Sequence, residues 1–126
     1  MSSRDNLIWQ RWKKQNEAEI ARVYYNVRVG GGSPPGENNS PEEALDWLMI
    51  TMLRIDAVVE FEKHVLLCEL RPDAGRSLFG AMVIYSQLWA AAPQIKKPFM
   101  PVGITDNATV QIRSIFALNN LRIDVV

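Results

Sequence analysis

Hydrophobic positions recur along this chain at two periods, and each change of period marks an element. Residues 6–19 follow the helical period, with Leu7, Ile8, Trp12 and Ile20 on the inner side. The other side carries Arg11, Lys13, Lys14 and Gln15 beside Trp9. Residues 22–29 switch to strict alternation and are rich in β-branched and aromatic side chains, which predicts a strand. Val23, Tyr25, Val27 and Val29 should share one face, and Tyr24, Asn26 and Arg28 the other. Residues 30–39 are built from glycine, proline and asparagine and predict a loop. Ser40-Pro41-Glu42-Glu43 is a helix start: serine caps, proline takes the first helical position, and Glu43 can return the capping bond. That helix should run to about residue 51 with Leu45, Leu48, Met49 and Met52 as its core stripe.

The centre of the chain is two alternating runs, 53–61 and 64–71, separated by Glu62-Lys63, which predicts an antiparallel hairpin. A helix over residues 76–90 follows, with Leu78, Met82, Tyr85 and Trp89 in one stripe widened by Phe79, Val83 and Leu88. Residues 99–105 form a short apolar strand, and 108–119 a helix carrying Val110, Ile112, Ile115, Phe116 and Leu118. Residues 121–126 close the chain as a strand. The later half therefore reads strand, helix, strand, helix, strand, which favours parallel pairing, while the earlier half supplies the hairpin. The expected fold is α/β: one domain over residues 1–126, with a mixed sheet flanked by helices.

Composition narrows the function classes. The 126 residues are 48% hydrophobic and 22% charged, ordinary globular values. Fourteen basic residues balance fourteen acidic ones, so no global field steers the protein to nucleic acid or anionic lipid. Contact with DNA would need a local patch. Arg11, Lys13 and Lys14 with Trp9 could supply one, although such a cluster is more often a solvated helix face. The single cysteine, Cys68, sits mid-strand in an apolar run; it excludes an internal disulfide and suits a buried hydrophobe. One histidine and one cysteine cannot build a zinc site of the usual ligand types. The first residues lack the apolar run of a signal peptide, and no stretch approaches the roughly 20 apolar residues of a membrane span. Gly30-Gly31-Gly32 lacks the spacing and lysine of a phosphate-binding loop and reads as a linker or an assembly arm.

The candidate chemistry lies in the hairpin. With Glu62 and Lys63 as turn residues, paired residue numbers sum to 125, which sets Asp56 opposite Glu69 and Arg54 opposite Arg71. Directly opposed like charges repel, so a cation should compensate. A divalent ion held by Asp56 and Glu69 would be Mg²⁺ or Mn²⁺, given oxygen ligands, and could polarise a phosphoryl oxygen and activate water. Alternatively, Arg54 and Arg71 complete an ion network without metal.

Asp56, twelve intervening residues, Glu69-Leu70-Arg71 and then a helix together resemble the PD-(D/E)XK nuclease superfamily. The wording Arg54-Ile55-Asp56-Ala57-Val58, Glu69 through Gly75, and Gly80 to Tyr85 is similar to small members from tailed bacteriophages. The resemblance covers residues 24–126 and implies a restriction-endonuclease-like core. It also implies Asp56 and Glu69 as metal ligands and Arg71 at the place of the catalytic lysine. Arginine keeps the charge but handles protons poorly. Ala81 replaces the glutamine expected after Gly80, and Gln87 lies too far along to stand in.

Two altered polar positions suggest a degenerate site. The resemblance then implies a structural or interaction component of a phage particle, in its head–tail or neck region. Such a protein would work as a homo-oligomer or within a larger assembly, in the virion or host cytoplasm. The alternative is a working Mg²⁺-dependent DNA nuclease using Asp56, Glu69 and Arg71.

Overall fold

The computed structural model describes residues 1–31, 36–51 and 53–126, with backbone only for 48–51. Its elements run α1 (Ser3–Asn16), β1 (Arg22–Val29), α2 (Pro41–Thr51), β2 (Leu53–Glu60), β3 (Val65–Leu70), α3 (Arg76–Ala91), β4 (Phe99–Thr105), α4 (Val110–Leu118) and β5 (Arg122–Val125). The five strands form one mixed sheet in the order β1-β2-β3-β4-β5. β1, β2 and β3 pair antiparallel, and β3, β4 and β5 pair parallel, so the α/β reading with a parallel later half holds. Among the described residues, no helix is long and apolar enough to cross a membrane.

One face of the sheet packs on α1. There Ile8, Trp9 and Trp12 cover Ala57, Val59, Cys68, Leu70, Val102 and Ile104. This corrects the expected orientation of α1: Leu7 is 58% exposed, whereas Trp9 and Trp12 are buried. The two indoles stack with centroids 5.4 Å apart. Each buried N–H also finds a partner, Trp9 Nε1 donating to the Tyr25 hydroxyl and Trp12 Nε1 to Asp124 Oδ2. A large ring with a satisfied N–H gains more from burial than leucine does, and that rotates the helix. Trp9 is therefore not a surface anchor for DNA, and neither Trp9 nor Trp12 offers a docking face. The helix also begins three residues earlier than expected, at a capping box in which Ser2 accepts from the Asp5 N–H and Asp5 accepts from the Ser2 N–H.

The other face packs on α3, where Ile55, Val58, Val65 and Leu67 meet Trp89 and Tyr85. Beside it, Leu78 and Met82 meet Phe116 of α4. Helix α3 approaches β4 closely. A Cβ on Gly103 would lie 2.8 Å from Met82 Sδ and 2.9 Å from Leu78 Cδ2, so any larger residue there forces both side chains aside.

Strict alternation fails at one rung. Val23 and Tyr25 face α1, but Val27 and Val29 pack toward α3. In β2, Ala57 and Val59 face α1 while both Ile55 and Val58 face α3. The break falls between rungs Tyr25–Ala57 and Val27–Ile55, where Asn26 takes a left-handed backbone (φ 51°) beside Asp56. A residue in that region kinks a strand and re-aims its neighbours. The face predicted for Val27 and Val29 is therefore reversed, and the kink stands at the candidate site.

In α2 the expected start is present, with the Ser40 hydroxyl accepting from the Glu43 N–H. Of its predicted core stripe, Leu45 is 60% exposed, and the side chains of Leu48, Met49 and Met52 lie outside the described residues, as does part of the 30–39 loop. In α4 only Phe116 is fully buried; Val110 and Leu118 are more than 80% exposed, against expectation.

Candidate functional site

Phe61 donates its N–H to the His64 carbonyl across Glu62-Lys63, and their rings stack at 4.5 Å. The register that follows has the predicted sum of 125, from Glu60–Val65 through Ala57–Cys68. There the paired ladder ends. Asp56 and Glu69 are not an ordinary cross-strand pair, because the kink at Asn26 and Asp56 opens the strands at the next rung.

The two carboxylates take over the bonds that the ladder drops. The Asp56 N–H donates to Glu69 Oε1 at 2.9 Å, and the Leu70 N–H donates to Asp56 Oδ2 at 2.9 Å. Each acid thus bonds the backbone of the other's strand, which satisfies N–H groups that would otherwise be orphaned in the sheet. Glu69 is 2% exposed; its side chain lies between those of Cys68 and Leu70, which face α1, and so it points toward α3. The Asp56 side chain is 29% exposed.

Arg71 supplies the compensating cation. Its Nη1 lies 3.4 Å from Asp56 Oδ2, 3.3 Å from Glu69 Oε2 and 2.7 Å from the Leu70 carbonyl oxygen. Its Nε faces the Ser77 hydroxyl at 3.4 Å, which ties the guanidinium to the first turn of α3. Arg54 does not join this group: it pairs with Arg28 in β1, and the expected Arg54–Arg71 rung is absent because β2 and β3 have already separated.

Burial pushes the Glu69 carboxyl up to about 8, and the Asp56 charge adds to the rise; the Asp56 N–H and Arg71 oppose it. Tyr85, from the middle of α3, belongs to the same environment. Its phenol is raised first by burial and then by the charges of Glu69 and Asp56. The sequence placed Tyr85 in a core stripe; the Gly80–Tyr85 pattern was the signal that it also borders the acids. Gln87 is exposed. Cys68 is buried, which pushes its thiol up and keeps it inert.

The turn after β3 is fixed from outside the site. Asp73 takes a left-handed backbone (φ 48°) and donates its N–H to Asp106 Oδ1. Arg4 of α1 bridges Asp73 at 3.1 Å and Asp106 at 2.7 Å, and this guanidinium holds both carboxylates below their ordinary range. The turn places Ser77 beside Arg71.

The residues present do not suit a divalent ion while Arg71 holds this position. Oxygens of Asp56, Glu69 and Leu70 converge, but on a guanidinium nitrogen. Among the described residues, no three His, Cys, Asp or Glu side chains are grouped to hold a metal. The arrangement can join two strands and a helix through charge and hydrogen bonds. No protein-family model, curated protein or solved structure matches the chain.

Proposed function

We propose that this chain is a structural or interaction component with a nuclease-like core and a degenerate site, serving in a phage particle at its head–tail or neck region. One observation carries the non-catalytic part of the reading: Arg71 Nη1 sits against the three oxygens, from Asp56, Glu69 and Leu70, that would otherwise face a metal. A tethered cation cannot exchange, carry water or shift its charge during a reaction. Arginine is also always protonated, so it cannot serve as the general base that a hydrolytic site needs. The carboxylates are spent on the fold, closing an opened ladder.

The phage assignment rests on the resemblance of residues 54–58, 69–75 and 80–85 to small phage members of the PD-(D/E)XK superfamily. The test is incubation of the purified protein with supercoiled plasmid in Mg²⁺ and in Mn²⁺. Intact plasmid in both, with no rise in melting temperature on adding metal, is the expected result. Nicking that disappears in both Asp56→Ala and Glu69→Ala would establish the metal-dependent nuclease instead.

A further inference from the structure

Two surfaces on different helices are exposed among the described residues. Helix α4 leads into β5, one edge strand, and shows Val110 (82% exposed), Leu118 (83%) and Ile115 (44%). Beside them, a groove of about 200 Å³ lies between the start of α3 and α4, with Phe79, Gly80, Ile112 and Ile115 in its apolar lining. Neither α3 nor α4 contains an Asp or Glu. Their only charged residues are Arg76 and Arg113, both exposed, and Arg76 lines the groove.

Helix α2 joins β1, the other edge strand, to β2, and it has the complementary character. It carries Glu42, Glu43 and Asp46 and no Lys or Arg, and all three acids are exposed. Leu45 is 60% exposed and shares a helix face with Glu42, three residues before it, and Glu42 in turn neighbours Asp46 four residues on. An apolar contact with opposite charge at its rim is how specific protein surfaces select a partner.

We propose that a second copy of this chain docks its α2 in the α3–α4 groove, with Leu45 against the apolar lining and Glu42 and Asp46 facing Arg76 and Arg113. The two surfaces differ, so the contact is head-to-tail. Repetition closes a ring where the rotation permits and otherwise extends a filament. The proposal rests on the reading of the protein as an assembly component and names the surface that assembles.

Solution mass across a range of concentrations tests it, using the full chain. The wild type should exceed the monomer mass and rise with concentration. Arg76→Glu with Arg113→Glu, and separately Glu42→Arg with Asp46→Arg, should each run as monomers with unchanged circular dichroism. Mixing the two charge-reversed proteins should restore the larger species, because each groove again meets an oppositely charged α2. A wild type that is monomeric at every concentration, or an oligomer whose mass neither reversal changes, overturns the docking. The plasmid assay decides the non-catalytic reading separately, so the two can fail independently.

Discussion

Replacing Glu69 with Gln should make the protein more stable at alkaline pH. Glu69 is buried at 2% exposure, accepts the Asp56 N–H through Oε1 and stands beside Asp56. Its folded-state value of about 8 lies well above the ordinary 4.5, so the folded protein binds this proton more tightly than the unfolded chain does. The stabilisation is complete below the ordinary value and falls as pH rises toward 8; above that it is lost. At about 1.4 kcal/mol per pH unit, the wild type should lose about 3 kcal/mol between about pH 5.5 and pH 8.5 through this group. Glutamine keeps the shape and the acceptor oxygen but cannot ionise. Urea denaturation of both proteins at the two pH values isolates the effect, since titrations common to both proteins cancel in the difference. Near pH 5.5 the two should agree to within about 1 kcal/mol; near pH 8.5, Glu69→Gln should lead by about 2–3 kcal/mol. An equal stability difference at both values, or a variant weaker at pH 8.5, would refute the placement of Glu69 as a buried, proton-holding acid.

Arg71→Ala removes the cation from the three oxygens that converge on it. With Arg71 a third exposed, the loss should be about 1–2 kcal/mol near pH 8, and Mn²⁺ should raise the variant's melting temperature but not the wild type's. Gly103→Ala forces a Cβ onto Met82 and Leu78, and calorimetry should show a cost of about 1–3 kcal/mol. Asp124→Ala strands the fully buried Trp12 N–H and should cost about 1–3 kcal/mol in urea, followed by circular dichroism.

Periodicity made the fold legible because most elements obey it. The sheet's mixed pairing, the hairpin register from Glu60–Val65 to Ala57–Cys68 and the span of β4 are all readable from the sequence. What escaped was local. Alternation assumes an unbroken pleat, and the left-handed Asn26 has no marker in Tyr-Tyr-Asn-Val beyond the residue type that tolerates such a backbone. The kink turns Asp56 and Glu69 from a facing pair into reciprocal backbone acceptors, and this decides what the site is. Arg71 was visible as the odd residue of its motif, but its guanidinium could have pointed outward. Its contacts with the Leu70 carbonyl and the Ser77 hydroxyl give its direction. Helical spacing sorts positions by angle alone, whereas Trp9, with a partner for its N–H, outcompetes Leu7 for the core.

Arg71 acts as the site's own cation. The most direct test is melting of the wild type and of Arg71→Ala near pH 8, with and without millimolar Mn²⁺, beside plasmid cleavage under the same conditions. An unresponsive wild type with intact plasmid, together with a variant stabilised by the ion, is the predicted result. A wild type stabilised by Mn²⁺ that also nicks DNA would show that Arg71 yields to metal, and the site would then be catalytic.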